Sequence, residues 1–248
     1  MGSSSSIHTN MTGRSEKYVG IDKWVPFSVL DAGMVALLDC GKVDREQLKL
    51  HLHEFIKGEN RVSKAAKVAY NILTQPVDIL SAVQKEFTRE SYIRLPENER
   101  KVLMVSLFAC AYPMFYDLMV AMATAFKVQP EVNKKFISQK MSNIYGSNRS
   151  FDMALDSLLI MIIDLDIVKR VKRSIYTLGV TKTVRTPLIS ESYIYTDIKL
   201  SGSKTVLVED LQSRPWYLFS RVEYQEQNHK RLLRLAEGRI GGGYLSIR

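Results

Sequence analysis

The sequence predicts a mainly α-helical protein with two helix-turn-helix-like units and a smaller, basic α+β region at its C-terminal end. Apolar residues recur at helical spacing through most of residues 27–166. After Arg173, Thr, Val, Ile and Tyr become frequent, which is typical of strands. Positive charge is concentrated in the last third, because residues 1–166 carry 20 Lys/Arg and 19 Asp/Glu whereas residues 167–248 carry 15 and 7.

The composition is that of an ordinary globular protein. Of its 248 residues 46% are hydrophobic and 25% charged, which is enough apolar material for a sizeable core. Cys40 and Cys110 have neither zinc-site nor disulfide-framework spacing, so we expect a reducing, cytoplasmic setting. Residues 1–17 are polar and Ser-rich and predict a disordered tail, which leaves a helical core at 18–166 and a basic region at 167–248.

The first helix-turn-helix-like unit is predicted near the N-terminal end. Residues 27–40 predict a helix that ends at Gly41. Asp44 is expected to cap a second helix that runs to Gly58. Four apolar residues should form the buried face of this second helix: Leu48, Leu52, Phe55 and Ile56.

A third helix is expected after a short polar break at residues 59–61. Ser63 should open this helix and Pro76 should stop it. One of its faces is expected to be buried: Ala66, Ala69, Tyr70 and Leu73. A helix, a short turn and a second helix opened by Ser are the arrangement of a helix-turn-helix unit.

The apolar stretch at residues 102–128 predicts either two buried helices or one helix kinked at Pro113. It is long enough to span a bilayer. Against a span, Pro113 and Asp117 lie at its middle, where a charge costs at least ~2.5 kcal/mol. Before it, residues 78–87 predict a short helix and residues 96–101 predict the acidic first turn of the helix that enters the stretch.

A second helix-turn-helix-like unit is predicted between residues 131 and 173. Residues 131–143 have a helical pattern, and residues 145–150 supply a break rich in Gly and Ser. Residues 151–173 then predict a long apolar helix. That helix should end in a basic cluster: Lys169, Arg170, Lys172 and Arg173. The similar layout of the two units indicates a loose internal duplication.

The region after Arg173 is expected to contain two to four strands. Residues 195–200 and 204–208 predict a hairpin around a Ser-Gly-Ser turn. A small basic hairpin that follows a pair of helices would be the wing of a winged-helix fold. Residues 221–237 predict a helix, and the Gly-rich end predicts either a turn with a short last strand or a flexible end.

No catalytic or cofactor motif is found in the sequence, so we expect no enzyme activity, no cofactor and no metal. There is no G-x-S-x-G, no P-loop and no G-x-G-x-x-G after a strand. His51 and His53 diverge by about 200° on a helix and therefore could not share a metal ion unless the helix is broken there. The alternative is a magnesium-dependent nuclease that uses four carboxylates along one helix: Asp152, Asp156, Asp164 and Asp166.

The location of the positive charge favours a polyanionic partner, with nucleic acid first and acidic membrane surfaces second; solubility alone is the alternative explanation. Double-stranded DNA is the expected partner. Affinity should come from phosphate contacts, because Asn and Gln are sparse near the proposed contact faces. The candidate DNA-binding residues are Arg61, Lys64, Lys67, Lys169, Arg170, Lys172, Arg173, Lys182, Arg185, Lys199 and Lys204.

A family resemblance is carried by four consecutive pieces: EQLKLHLHEFIKGENRVSKAAKVAYNILT, ERKVLMVSLFACAYPMFYDLMVAMATAFKV, VNKKFISQKM and SNRSFDMALDSLLIMIIDLDIVKR. Over about residues 27–173 the chain resembles the BrxA family of BREX bacteriophage-exclusion systems. The resemblance implies a DNA-binding accessory protein without catalysis, with other phage-defence proteins as partners. The stretches at 18–26 and 231–248 depart from the family, so the resemblance implies no role for them.

Two other functions compete with DNA binding. The first is a protein-binding scaffold that uses the Met-rich stretch at 104–122 as a groove for a partner. The second is a peripheral or integral membrane protein, although we expect no membrane partner. Salt-dependent binding of DNA would distinguish the first alternative, and pelleting with membranes the second.

Overall fold

A computed structural model of the protein describes residues 19–226, 231–237 and 243–248. Within these ranges the fold is mainly helical, with small sheets towards the C-terminal end, which confirms the predicted fold class at this level. The tail predicted at residues 1–17 lies outside the described residues. A single cluster of buried apolar side chains extends from Ile21 to Leu245.

The helices, in chain order, are α1 (Phe27–Cys40), α2 (Arg45–Leu52), α3 (Glu59–Ile72), α4 (Val77–Glu86), α5 (Arg89–Ile93), α6 (Glu97–Ala111), α7 (Pro113–Phe126), α8 (Lys134–Tyr145), α9 (Arg149–Asp164) and α10 (Pro187–Ser201). The strands are β1 (Glu131–Asn133), β2 (Val168–Lys172), β3 (Ile175–Leu178), β4 (Lys182–Thr183), β5 (Val206–Leu207), β6 (Ser220–Arg221), β7 (Leu233–Glu237) and β8 (Gly243–Ile247).

These strands form three small sheets. One is antiparallel in the order β1-β3-β2, one is the parallel pair β4-β6, and one is antiparallel in the order β5-β8-β7. The first sheet joins β1, which lies in the predicted helical core, to β2 and β3, which lie in the predicted basic region. The two regions therefore share a sheet as well as a buried core.

The first three helices follow the predicted order, with two boundaries in different places: α2 ends at Leu52 rather than at Gly58, and α3 begins at Glu59. Gly41 ends α1 in the left-handed conformation (φ 72°), and the Asp44 side chain caps α2 through the N–H of Glu46 at 2.9 Å. The prediction that Ser63 opens α3 is wrong. Gly58 precedes α3 at φ 94°, a conformation that favours glycine, so the turn lies at residues 53–58 and residues 59–61 form the first helical turn.

Two of the apolar residues predicted to be buried in this unit are exposed. Phe55 is 47% exposed, because α2 ends at Leu52 and Phe55 belongs to the turn. Tyr70 is 38% exposed at the edge of the buried face of α3. The other six are buried: Leu48, Leu52, Ile56, Ala66, Ala69 and Leu73.

The apolar stretch forms two helices rather than one. α6 and α7 meet at 118°, with Pro113 as the first residue of α7. The proposed Met-rich groove is not present, because Met104, Met114, Met119 and Met122 are at most 1% exposed and form part of the core. None of the described helices is by itself long and apolar enough to cross a bilayer, and only the bent pair α6–α7 has the length and composition to do so.

The second unit differs from its prediction at both ends. Residues 131–133 form β1 rather than the start of a helix, because they pair with β3. The basic segment does not continue α9 but forms β2. The helix ends at Asp164, Asp166 adopts a left-handed conformation (φ 55°), and the chain reverses to pair with β3.

Two predictions in the C-terminal region are wrong. The hairpin predicted at 195–208 is absent, since residues 187–201 form α10. This helix is buried around its whole circumference from Leu188 to Ile198, so it has no amphipathic pattern for the sequence to reveal. The helix predicted at 221–237 is not formed: residues 233–237 are the strand β7, paired with β8, and residues 227–230 lie outside the described part. Of the two alternatives for the Gly-rich end, the short last strand is the one observed, as β8.

Candidate nucleic-acid interface

The helix pair α8–α9 is held by side-chain caps at both helix starts. The Asn133 side chain accepts a hydrogen bond from the N–H of Lys135 (2.8 Å), and the Asn148 side chain accepts one from the N–H of Phe151 (2.9 Å). The helices are joined by only residues 146–148, which begin at Gly146 with φ 77°. A short capped link of this kind gives the second helix a defined start.

The strands β2 and β3 form a short hairpin directly after this helix pair. Val168 pairs with Leu178 and Arg170 pairs with Tyr176, with a bulge between Arg170 and Lys172. At its tip, Ser174 has a positive φ (63°), and its carbonyl accepts a hydrogen bond from the N–H of Lys134 (2.8 Å). The turn of the hairpin therefore rests against the N-terminal end of α8.

Four cations lie on this basic hairpin, which we define as residues 168–178. All four side chains are exposed: Lys169, Arg170, Lys172 and Arg173. Among the described residues none of them has an ion-pair partner or a side-chain hydrogen bond. Apolar contact anchors the hairpin from below, since Val132, Val168 and Tyr176 are buried. The hairpin thus presents unneutralised positive charge on a packed base.

Other cations of the same unit are arranged differently. Lys134, at the first position of α8, forms an ion pair with Asp156 of α9. Lys135 and Arg149 are exposed at the starts of α8 and α9, and Lys140 is exposed in the middle of α8. Sequence reasoning did not include these residues, because they lie more than 15 positions from the basic cluster; only the pairing of β1 with β3 brings the start of α8 to the hairpin.

The three cations predicted in the first unit lie on the exposed side of α3. Arg61 and Lys67 have no ion pair with any described residue. The Lys64 ammonium lies 3.4 Å from a carboxylate oxygen of Asp22. Arg45, at the start of α2, donates to the carbonyl of Ser63 (3.2 Å), which fixes the two helices relative to each other.

Of the four remaining candidate cations, one is buried and one forms an ion pair. Lys182 is only 7% exposed, and burial lowers the pKa of its amino group to about 8. Lys199 binds Asp78 (3.1 Å) and the hydroxyl of Tyr195 (2.8 Å). The other two are exposed: Arg185 just before α10, and Lys204 just before β5.

The four carboxylates considered for magnesium are used in separate contacts or stand apart. Asp156 pairs with Lys134, Asp164 accepts a hydrogen bond from the N–H of Phe27 (2.5 Å), and Asp166 pairs with Lys101 (2.5 Å). Asp152 is exposed. Across the described ranges, no three His, Cys, Asp or Glu side chains come together as metal ligands.

The histidine and cysteine residues are also accounted for individually. His53 follows α2 directly, and its Nε2 lies 3.3 Å from Glu59 at the start of α3. Cys40 and Cys110 are free thiols; burial raises the pKa of the Cys110 thiol, so it is protonated at neutral pH.

Among the described residues, the basic hairpin therefore carries four unpaired cations within five positions of the chain, whereas α3 carries two, Arg61 and Lys67. Comparison of the chain with protein-family models, with curated proteins and with solved structures finds no match.

Proposed function

We propose that this chain is a non-enzymatic protein that binds double-stranded DNA, mainly through phosphate contacts made by the basic hairpin. The observation that carries the proposal is the set of four exposed cations at 169–173 that no described carboxylate neutralises. Lysine and arginine in this state release counterions when they meet phosphates, which is the main source of affinity in sequence-independent binding.

The order of elements supports a winged-helix interpretation of this unit. A strand, two helices and a two-stranded hairpin follow one another as β1, α8, α9, β2 and β3, and the sheet order is β1-β3-β2. In this interpretation α9 is the recognition helix and the basic hairpin is the wing. The wing proposed from the sequence was the segment 195–208; the hairpin that follows the helix pair is 168–178 instead.

Charge favours the hairpin over α9 as the main contact. Asp152 and Asp156 lie on the exposed side of α9, where carboxylates would repel phosphates. Lys134 neutralises Asp156, and Arg149 lies at the start of the helix. We infer that α9 approaches the duplex with its N-terminal end only, whereas the hairpin supplies most of the phosphate contacts.

The first unit offers a second contact of the same kind. Helices α2 and α3 are joined by residues 53–58, and the exposed side of α3 carries Arg61 and Lys67. In helix-turn-helix proteins the start of the second helix meets base edges or phosphates. We therefore propose α3 as the element that adds any sequence preference.

The resemblance to the BrxA family extends this proposal to a biological setting. It suggests an accessory component of a bacteriophage-exclusion system that acts in the cytoplasm together with other phage-defence proteins. DNA binding without catalysis fits that role. The neighbouring genes test it: methyltransferase, phosphatase-like and large ATPase genes beside this one would support the assignment.

The decisive experiment compares two variants of equal charge. One replaces Lys169, Arg170, Lys172 and Arg173 by Ala; the control replaces four exposed cations in or next to the first five helices: Lys42, Lys85, Arg89 and Arg94. Fluorescence anisotropy measures binding to unrelated duplexes over a range of salt concentrations. For the parent, log K should fall linearly with the logarithm of the salt concentration, with a slope of about 0.9 for each phosphate contacted.

We expect the slope of the hairpin variant to correspond to about 2–3 fewer phosphate contacts than that of the parent on every duplex, and the slope of the control to equal that of the parent. Equal loss in the two variants would mean that net charge alone is responsible. Absence of binding by the parent at about 50 mM salt would reject the proposal.

A protein-binding scaffold remains the second candidate, on a different surface from the Met-rich stretch. Apolar side chains between 37% and 48% exposed lie on the same unit: Phe136, Ile144, Met153, Ile160 and Val171. When several exposed apolar residues lie next to one another, they are typical of a surface that contacts another protein. If the parent does not bind DNA, this function takes precedence.

A further inference from the structure

The base of the basic hairpin is held by two lysines that come from other parts of the fold. The Lys101 ammonium, on α6, lies 2.5 Å from Asp166 Oδ2. The Lys182 ammonium, on β4, donates a hydrogen bond to the backbone carbonyl of Asp166 (3.1 Å). Asp166 itself is the left-handed residue between α9 and β2. Both lysines therefore bind the residue at which the chain turns into the hairpin.

The other end of the hairpin meets the same point. The N–H of Gly179, just after β3, donates to the carbonyl of Ile167 (2.9 Å). A Cβ at Gly179 would lie 2.3 Å from the carbonyl oxygen of Asp166, so only glycine fits there. The two strands of the hairpin thus leave the core through one close-packed junction.

Each lysine is itself fixed by elements outside the hairpin. Lys101 also pairs with Glu97 (2.7 Å), one turn earlier on α6, and its ammonium lies 5.2 Å from the centre of the Phe27 ring. Lys182 is 7% exposed, and its strand pairs with β6. Because contacts with the core constrain both lysine side chains, their bonds to Asp166 fix the position of this residue relative to the core.

We propose that Lys101 and Lys182 are positioning residues for DNA binding, which set the direction of the basic hairpin through Asp166. The proposal rests on the proposed function of the hairpin. It also gives Lys182 a role other than the direct DNA contact that the sequence suggests, because a buried ammonium bonded to a carbonyl is not available to a phosphate.

The geometry makes the direction of the hairpin important. About six or seven extended residues separate Asp166 from Arg173, a length of about 20 Å. A rotation of about 10° at the base would move the tip by about 3–4 Å, more than the tolerance of a hydrogen bond. Some phosphate contacts would then be lost even though all four cations remain exposed.

The test uses the full chain and four variants. Lys182→Met and Lys101→Met each remove one bond to Asp166, whereas Lys101→Arg keeps a cation that can pair with Asp166 and Glu97. Lys85→Met is the control, since Lys85 is an exposed lysine of α4 that is not among the proposed DNA contacts. Hydrogen exchange of the amides at 168–178, without DNA, is compared with that of α10 in the same sample, and the salt slope of DNA binding is then measured.

In both Met variants we expect the hairpin amides to exchange about 10-fold faster than in the parent, and the α10 amides to exchange at an unchanged rate. The salt slope of DNA binding should decrease by the equivalent of about 1–2 phosphate contacts. Lys101→Arg and Lys85→Met should behave as the parent. Either of two results would overturn the proposal. Equally faster amide exchange in α10 and in the hairpin would mean that the lysines only stabilise the core, and unchanged exchange in both would mean that they have no effect at this site.

The two proposals fail in different ways. If the parent binds DNA and both Met variants keep its salt slope, the positioning role is wrong and the proposed function stands. If the parent binds no DNA, the proposed function is wrong, and a faster exchange of the hairpin amides would then describe mobility without a role in DNA binding.

Discussion

The hydroxyl of Tyr145, at the end of α8, donates a 2.6 Å hydrogen bond to Asp117 Oδ2 in the middle of α7. Asp117 is the only charged residue between Val102 and Phe126. Burial of Tyr145 and the bonded carboxylate raise the pKa of this phenol well above its ordinary value, with burial as the larger cause. The one charge of the apolar stretch is thus used to attach the proposed DNA-binding unit to the core.

Removing this bond should weaken the fold measurably. We expect Tyr145→Phe to lower the free energy of unfolding by about 1–3 kcal/mol, the usual range for a hydrogen bond to a charged group. Urea titration followed by circular dichroism measures the change. Tyr244→Phe is the matched control, because Tyr244 is 41% exposed and should change stability by less than about 0.5 kcal/mol. Equal effects would contradict the assignment.

The buried tyrosines predict loss of stability at alkaline pH. Burial is the main cause that raises the pKa of Tyr92, Tyr116 and Tyr193, and it raises the pKa of Tyr195 to about 12. The unfolded chain ionises its phenols near pH 10, so above that pH it binds fewer protons than the folded chain and stability falls as pH rises. Phenolate absorbance should therefore appear together with loss of helix; a phenolate signal for these residues before unfolding would disprove this.

The lowered pKa of Lys182 predicts that this residue makes stability depend on pH with the opposite sign. Its pKa in the folded chain is lowered to about 8, whereas an unfolded lysine titrates near 10.4. Between these values the unfolded state binds more protons, so this group makes stability rise with pH. We expect the stability of the parent relative to Lys182→Met to increase by about 1–3 kcal/mol from about pH 7 to about pH 10. Because both chains contain the same tyrosines, the contribution of the tyrosines cancels when the two stabilities are subtracted. A stability difference that does not change with pH would refute the prediction.

Glu191 should be essential for the attachment of the C-terminal sheet. Its Oε1 accepts hydrogen bonds from the N–H groups of Arg231 (2.9 Å), Leu232 (2.7 Å) and Leu233 (2.9 Å), and its side chain is fully buried. Glu191→Ala leaves these donors without this acceptor, so we expect a loss of about 3–5 kcal/mol. Glu191→Gln keeps an acceptor oxygen and should cost less. Denaturant titration measures both, and an equal cost would show that the oxygen is not what matters.

The cations of α3 should affect discrimination rather than the salt slope alone. Replacing Arg61, Lys64 and Lys67 by Ala removes the exposed charge of the helix that we propose to enter a groove. Each lost base contact should change the preference between duplexes by about 1–3 kcal/mol. Competition between duplexes from a randomised pool measures this preference. A uniform loss of affinity on all sequences would instead place these residues on phosphates.

Local signals in the sequence were sufficient for most helices of the first two thirds. Gly41 and the Asp44 cap define the link between α1 and α2, and Pro113 separates α6 from α7. These signals depend only on neighbouring residues, namely on the φ angles that glycine and proline permit and on side chains that cap the next turn. The start of α3 was misplaced by four residues, because Ser63 and Gly58 compete as the residue that precedes the helix. The start of α8 was misplaced by three residues, because residues 131–133 pair with β3.

Three segments took conformations that neighbouring residues do not determine. The stretch 187–201 contains three Ile and two Tyr yet forms a helix, because it is buried on all sides and its polar residues Glu191 and Asp197 bind partners from distant elements. The segments 168–172 and 233–237 have helix-like sequences yet form strands, because β3 and β8 supply their backbone hydrogen bonds.

The sequence by itself located the excess positive charge after residue 166, since charge is a property of composition. Only the tertiary structure decided which cations remain available. Lys199 meets Asp78, 121 positions away, and Lys182 is buried against the carbonyl of Asp166, whereas the cations at 169–173 meet no described carboxylate. Ion pairing and burial depend on distances of a few ångströms between residues far apart in the chain, and those distances exist only after the helices have packed.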